Sequence, residues 1–308
     1  MGRLAIRRTK YTRGDYDRAI DFFRRLYRAS DVVPFWLPAR FEYAEYLVAP
    51  LYKHRGNPID WKETIYLWEA GDRDVVGVLC SENPDANMFL HVMPGFSHLL
   101  EEMVVFAEEQ VVRGVLSLSE IKIWSRRDDP LLEPLLEKSG YERHKDVEYL
   151  NWRDLKAPLD EISMPAGHEL HDMTSEAGLD LQHKIDRGTA AFDSPTYPIW
   201  IYRSMQSGPS YRKDLDLYTT DSHGQVTSFC TIWHDRELNI GYFEPVGTAP
   251  AHQRRGLGRA VMSGALHALK RLGATVAFVG GYSLAANALY ASVGFAEYAL
   301  LERWVREL

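Results

Sequence analysis

What most constrains this chain is an internal repeat, in which two halves echo each other at a spacing of about 150 residues. Thr64-Ile-Tyr-Leu-Trp-Glu-Ala, a polar Gly-Asp-Arg-Asp and Val75-Val-Gly-Val-Leu-Cys80 read as a β-hairpin. Asp214-Leu-Asp-Leu-Tyr-Thr-Thr, a polar Asp-Ser-His-Gly and Gln225-Val-Thr-Ser-Phe-Cys230 read the same way. Helical patterns over 15–29 and 175–190 match. So do the ends of the halves: Leu132-Glu-Pro-Leu-Leu-Glu-Lys-Ser-Gly-Tyr141 and Asn287-Ala-Leu-Tyr-Ala-Ser-Val-Gly-Phe295 each read as a short helix closed by Gly and followed by a strand. The alternation of strands and helices predicts an α/β (α+β) fold, made twice. The boundary falls in the Pro-containing stretch 156–167, giving domains 1–156 and 157–308. Each has enough chain for a core of its own.

Composition narrows the partners. A formal net charge of −7 lacks the basic surplus of a general nucleic-acid binder, so neither nucleic acid nor an anionic membrane surface is expected. No run of 18 apolar residues occurs, and the N-terminus has no apolar stretch of signal-peptide length, so a cytoplasmic protein is the expectation. Gly2 does not read as a myristoylation site, since Ile6 stands where a hydroxyl is wanted. Cys80 and Cys230 occupy matching places in the two hairpins, which suits small buried residues better than reactive thiols. No histidine pair among His171, His183 and His234 has metal-site spacing, so no metal is predicted.

One window departs from the acidic average. Residues 245–296 contain no Asp or Glu but hold Arg254, Arg255, Arg259, Lys270 and Arg271. Within it, a strand ending Val246-Gly247-Thr248 leads through Gln253-Arg254-Arg255-Gly256-Leu257-Gly258-Arg259 into an amphipathic helix closed by Gly273. A glycine-rich loop at a helix N-terminus collects free N–H groups and the positive end of the helix dipole, and the arginines add donors. That arrangement suits a pyrophosphate. It is neither a P-loop nor a dinucleotide-binding fingerprint.

The run Gln-x-x-Gly-x-Gly after Val-Gly-Thr resembles motif A of the GNAT acyltransferase superfamily. Asn287-Ala-Leu-Tyr290-Ala-Ser-Val-Gly-Phe295 resembles its second mark. The resemblance covers the second half and extends more weakly over the first. It implies two tandem GNAT-like domains, each a mixed, mostly antiparallel sheet flanked by helices, with acetyl-CoA as co-substrate wedged where two strands splay apart. By that likeness the backbone of Val246, Gly247 and Thr248 pairs with the pantetheine arm. Residues Gln253, Arg254, Arg255, Gly256, Leu257, Gly258 and Arg259 hold the pyrophosphate, and Asn287 touches the pantetheine or nearby backbone. Tyr290 stands at the position of the general acid, and Glu244 where several relatives place a carboxylate base. The aromatic stretch 192–202 falls where the resembled fold walls its acceptor cleft, with Asp193 and Tyr202 as polar contacts or as part of a packing seam.

The first half departs from this pattern. His91-Val-Met-Pro-Gly-Phe-Ser-His stands in place of the cradle, with one glycine and no arginine. Glu133 stands opposite Asn287 and Leu136 opposite Tyr290, so this copy reads as non-catalytic. The expected activity is acetyl transfer from acetyl-CoA to a primary amine of a small molecule or peptide, by a monomer or homodimer. A non-catalytic acyl-CoA-binding scaffold and a mycothiol-synthase-like small-thiol acetyltransferase are the rival readings.

Overall fold

The computed structural model describes residues 5–308, so the reading at Gly2 lies outside them. By packing, the chain divides into two units. One runs up to Glu148 and takes in Ala299–Leu308, and the other is Tyr149–Tyr298.

Unit 1 contains β1 (Ile6–Lys10), α1 (Tyr16–Ala29), α2 (Pro38–Tyr43), a π-helical turn Ala44–Val48, α3 (Ala49–His54), β2 (Tyr66–Ala70), β3 (Asp74–Ser81), β4 (Asn87–Val92), α4 (Leu100–Phe106) with a π-helical continuation Ala107–Leu116, β5 (Glu120–Arg126), α5 (Leu132–Lys138) and the start of β6 (Glu142–Asp154). After the rest of β6, unit 2 contains β7 (His168–Asp172), α6 (Leu181–Ala191), α7 (Ile199–Gln206), β8 (Asp216–Asp221), β9 (Val226–Asp235), β10 (Ile240–Thr248), α8 (Leu257–Arg271), β11 (Val276–Gly281), α9 (Leu284–Ser292) and the start of β12 (Ala296–Glu307).

The sheet order is β1-β2-β3-β4-β5-β12 in unit 1 and β7-β8-β9-β10-β11-β6 in unit 2. All neighbours in unit 1 are antiparallel except β4 with β5. All neighbours in unit 2 are antiparallel except β10 with β11. The repeat seen in the sequence is therefore a repeat of topology.

The sixth strand is where the linear division at residue 156 fails. In unit 2 the edge of β11 is filled from Val276↔Asp154 to Gly281↔Tyr149, by a strand from the first half of the sequence. In unit 1 the edge of β5 is filled from Leu301↔Arg126 to Glu307↔Glu120, by a strand from the end of the second half. Each repeat thus lends its last strand to the other. The ladder groups on β5 and β11 need an antiparallel partner, and either last strand presents one.

Local chemistry sets the remaining boundaries. The helix expected over 175–190 begins only at Leu181. Gly178 turns the chain at φ +78°, and the Asp180 carboxylate accepts the His183 N–H at 3.0 Å as an N-cap. Helix α8 buries Val261, Met262, Leu266 and Leu269 against Ile232, Phe243 and Val279; each such side chain is worth about 1.5–3 kcal/mol when fully buried. Cys80 on β3 and Cys230 on β9 are fully buried, and burial pushes both thiols well above their usual pKa.

Candidate active site

The site is built where β10 and β11 part. They pair in parallel from Ile240↔Val276 to Phe243↔Val279 and no further. Against β9, β10 shifts register between Phe243 and Val246 and resumes at Val246↔Cys230, Gly247↔Phe229 and Thr248↔Ser228. Such a shift bends and re-aims a strand. Residues 246–248 keep one edge on β9 and turn the other to the gap, where an extended ligand can add as a further strand.

The loop that follows is held by its own side chain. Gln253 Nε2 donates to the Thr248 carbonyl at 3.2 Å, so its amide braces the loop against the end of β10. Arg254 lies at φ +59° and Gly256 at φ +82°; Gly256 is the N-cap of α8 and takes that left-handed conformation without a Cβ clash. The first helical bond runs from Ala260 N–H to Gly256 O at 2.9 Å. Ahead of it stand the N–H groups of Leu257, Gly258 and Arg259, at the positive end of a 15-residue helix. Arg254, Arg255 and Arg259 are exposed there. Lys270 and Arg271, the other cations of the acid-free window, lie in the last turn of α8. Their charge complements the opposite end of the dipole.

Two glycines bring the remaining parts together. A Cβ on Gly258 would lie 3.2 Å from both Thr248 Oγ1 and the Leu289 side chain, so the start of α8, the end of β10 and α9 meet at that point. A Cβ on Gly281, the last residue of β11, would lie 2.2 Å from Asn287 Oδ1 and 3.2 Å from the Tyr290 ring. Tyr290 is 7% exposed and packs 6.3 Å from the Phe295 ring. It belongs to the core of unit 2, and its ring lies against Gly281 at the end of β11. Glu244 follows directly on the last paired residue of β10, and its carbonyl accepts the Trp233 Nε1–H at 2.8 Å. The parted strands therefore carry a carboxylate at the fork on one and a phenol against the end of the other.

Comparison with known proteins identifies one part of the chain. Residues 183–295 match the model of the Acetyltransferase (GNAT) family. They form a GNAT domain. The chain is also similar to a mycothiol acetyltransferase from Kineococcus radiotolerans, 28% identical over 187 residues, 58% of this chain and 59% of that protein. It thus spans about three-fifths of that curated relative's length. Among solved structures, a GCN5-related N-acetyltransferase from Sphaerobacter thermophilus aligns with TM-score 0.68 at 16% identity, over 98% of this chain and 95% of that one. A tandem GNAT protein from the clavulanic acid biosynthesis pathway aligns with TM-score 0.67 at 14% identity, over 98% of both chains. At those identities the likeness is one of fold.

The GNAT family uses acetyl-CoA, and the donor set of this GNAT domain fits it. An open strand edge suits the amides of a pantetheine arm. Three helical N–H groups and three exposed guanidinium groups suit a pyrophosphate. Among the described residues no group of three His, Cys, Asp or Glu could hold a metal ion.

Several polar residues of the GNAT domain are committed elsewhere. Asn287 Nδ2 donates to the Ser283 carbonyl at 3.0 Å, and its Oδ1 accepts from Asn151 Nδ2 at 2.9 Å. Asn151 was missed in the sequence because the repeat assigns it to the first domain; only the pairing of β6 with β11 brings it here. Tyr202 is buried rather than facing an acceptor. Its hydroxyl donates to Asp216 and takes the Lys184 ammonium. Lys184 Nζ also donates to Asp216 at 2.9 Å, and the Tyr211 hydroxyl does so at 2.7 Å. This hub ties α6, α7 and β8 together. Phe192 stacks edge-on against Phe229, with Ile199 and Trp200 exposed nearby in sequence. His171 bonds to Thr220 Oγ1 at 2.9 Å and stacks on Tyr218. His183 accepts from Arg187 Nε at 3.3 Å. For His234, burial lowers the pKa, with Arg212 adding to the shift.

Proposed function

We propose that the GNAT domain moves an acetyl group from acetyl-CoA to a primary amine of a small molecule or peptide by direct attack, and that unit 1 does not catalyse. The observation that carries this is the convergence of an open strand edge, an arginine-flanked helix N-terminus and Tyr290 on one fork of the sheet. Acetyl-CoA, when bound, supplies the thioester and the departing thiolate. The N–H groups of Leu257, Gly258 and Arg259, with Arg254 and Arg255, hold the diphosphate. Residues 246–248 orient the arm along β10. Glu244 takes the proton from an ammonium acceptor, directly or through water, and Tyr290 delivers a proton to the sulfur.

The activity is read as CoA release from acetyl-CoA across a panel of amines, aminoglycosides, amino acids and peptides. Release with one class supports the reading. Tight acetyl-CoA binding with no release from any amine turns the reading into that of an acyl-CoA-binding scaffold. In the pH–rate profile, Glu244→Gln should remove the low-pH limb; an unchanged limb removes the base assignment. The similarity to a mycothiol acetyltransferase favours a second reading, in which the acceptor is a small-thiol precursor. The same panel decides it. We further propose a cytoplasmic monomer or homodimer acting without nucleic acid or membrane. Among the described residues no helix is long and apolar enough to cross a bilayer.

A further inference from the structure

Unit 1 keeps the fork but has changed its chemistry. β4 and β5, the counterparts of β10 and β11, pair only at Asn87↔Lys122 and Met88↔Ile123 and then part. A cavity of about 560 Å³ lies in the gap, within the size range of sites for small organic ligands. Its walls come from the end of α1 and the loop after it, from β4 and β5, and from Ala299 and Leu301 of β12. All of these belong to unit 1.

The parts that would hold a diphosphate are gone. Between β4 and α4 runs Met93-Pro-Gly-Phe-Ser97, without a cation, and Leu136 is fully buried where Tyr290 has its counterpart. What lines the cavity instead is mostly apolar, including the parallel rings of Phe89 and Trp124. Val32 and Leu131, 39% and 55% exposed, lie at the same cavity. Water-facing apolar groups around a concave site mark a place where an apolar body docks.

The polar groups at the cavity choose the head group. His91 is neutral, because burial pushes its pKa down to about 3, with the Arg40 charge adding to the shift. Asp129 Oδ1 already accepts the N–H groups of Leu131 and Leu132, each at 2.9 Å. Asp31 is exposed and solvated. Arg126 is half-buried, and its guanidinium makes no hydrogen bond or ion pair among the described residues. A partly desolvated cation without a partner is relieved by an incoming anion.

We infer that unit 1 binds a small apolar monocarboxylate, its hydrocarbon body against Phe89 and Trp124 and its carboxylate on Arg126. The site is independent of acetyl transfer in unit 2. The test is calorimetry on the full chain with decanoate, decanol and decylamine, each with and without saturating acetyl-CoA. Decanoate should bind at one site per chain, more tightly than decanol or decylamine, and acetyl-CoA should not displace it. Arg126→Leu should weaken decanoate by about tenfold or more while leaving decanol unchanged, which shows that the cavity is intact. Arg126→Lys should restore part of the loss. Equal binding of decanoate and decylamine overturns the head-group assignment. Displacement by acetyl-CoA, or no binding of any of the three, overturns the site.

Discussion

The two units share a strand order and a single parallel pair that opens after a few residues, yet only one follows that pair with an arginine-flanked loop at the start of a long helix. Unit 2 follows β10 with a loop carrying Arg254 and Arg255, Gly256 at φ +82° and a 15-residue helix. Unit 1 follows β4 with Met93-Pro-Gly-Phe-Ser97 and a helix whose α-helical part is 7 residues. Unit 2 sets a tyrosine against the end of its fifth strand, and unit 1 buries Leu136 at the matching position. Both keep a buried cation on a helix beside the sheet, Arg40 on Glu148 at 3.0 Å in unit 1 and Lys184 on Asp216 at 2.9 Å in unit 2. The sheet and its packing survive a duplication because every strand must satisfy its ladder. The chemistry of the fork rests on a handful of side chains whose exchange leaves that ladder intact.

The largest effect expected from this contrast is at Tyr290, the proposed acid. Tyr290→Phe should lower kcat by about 10²–10⁴-fold and leave acetyl-CoA affinity nearly unchanged by calorimetry, whereas Leu136→Met should alter neither. Equal losses in kcat from both would erase the distinction between the forks. Next comes the cradle. The double substitution Arg254→Ala with Arg255→Ala should weaken acetyl-CoA by about 10–100-fold, and the wild-type chain should titrate with one site; two equivalent sites would restore unit 1 as a working copy. A smaller effect tests the exchanged strand. Asn151→Ala removes the 2.9 Å bond to Asn287 and should cost about 1–3 kcal/mol of stability, with a several-fold rise in KM for acetyl-CoA. No change in KM would mean that β6 does not brace the site.

A pH response bears on stability alone. His91 has a folded pKa of about 3 against an ordinary 6.5. Between those values the unfolded chain binds a proton that the buried imidazole refuses. The contribution of the neutral His91 to stability is therefore full above pH 6.5 and declines as pH falls toward 3. His91→Phe should flatten the fall of Tm between pH 7 and pH 4. A parallel decline in both chains would assign the pH response to other groups.

Much of the fold was legible because its signals are local. Hairpin turns, the glycines that close each last helix and the strand patterns report themselves through backbone preferences and side-chain periodicity. The loop 253–259 was legible for the same reason, since a helix N-terminus and its glycines are neighbours in the chain. Its details are less so: the sequence offers Gln253 as a ligand donor, while the fold also sets its amide on the Thr248 carbonyl at 3.2 Å. The sequence offers Tyr202 either as a polar contact of an acceptor cleft or as part of a packing seam, and a buried carboxylate, Asp216, claims its hydroxyl.

What the sequence by itself determined is that one sheet topology is encoded twice and that only the second copy has a glycine- and arginine-rich loop before a helix with a tyrosine beyond it. Those facts follow from local pattern and from the difference between matched segments. The tertiary structure alone decided which sheet each last strand completes. β6 and β12 are both strands after a Gly-capped helix, and nothing in their patterns says which open edge they meet. Pairing is a property of two distant segments. Here it places Asn151 on Asn287 and Leu301 at the cavity of unit 1.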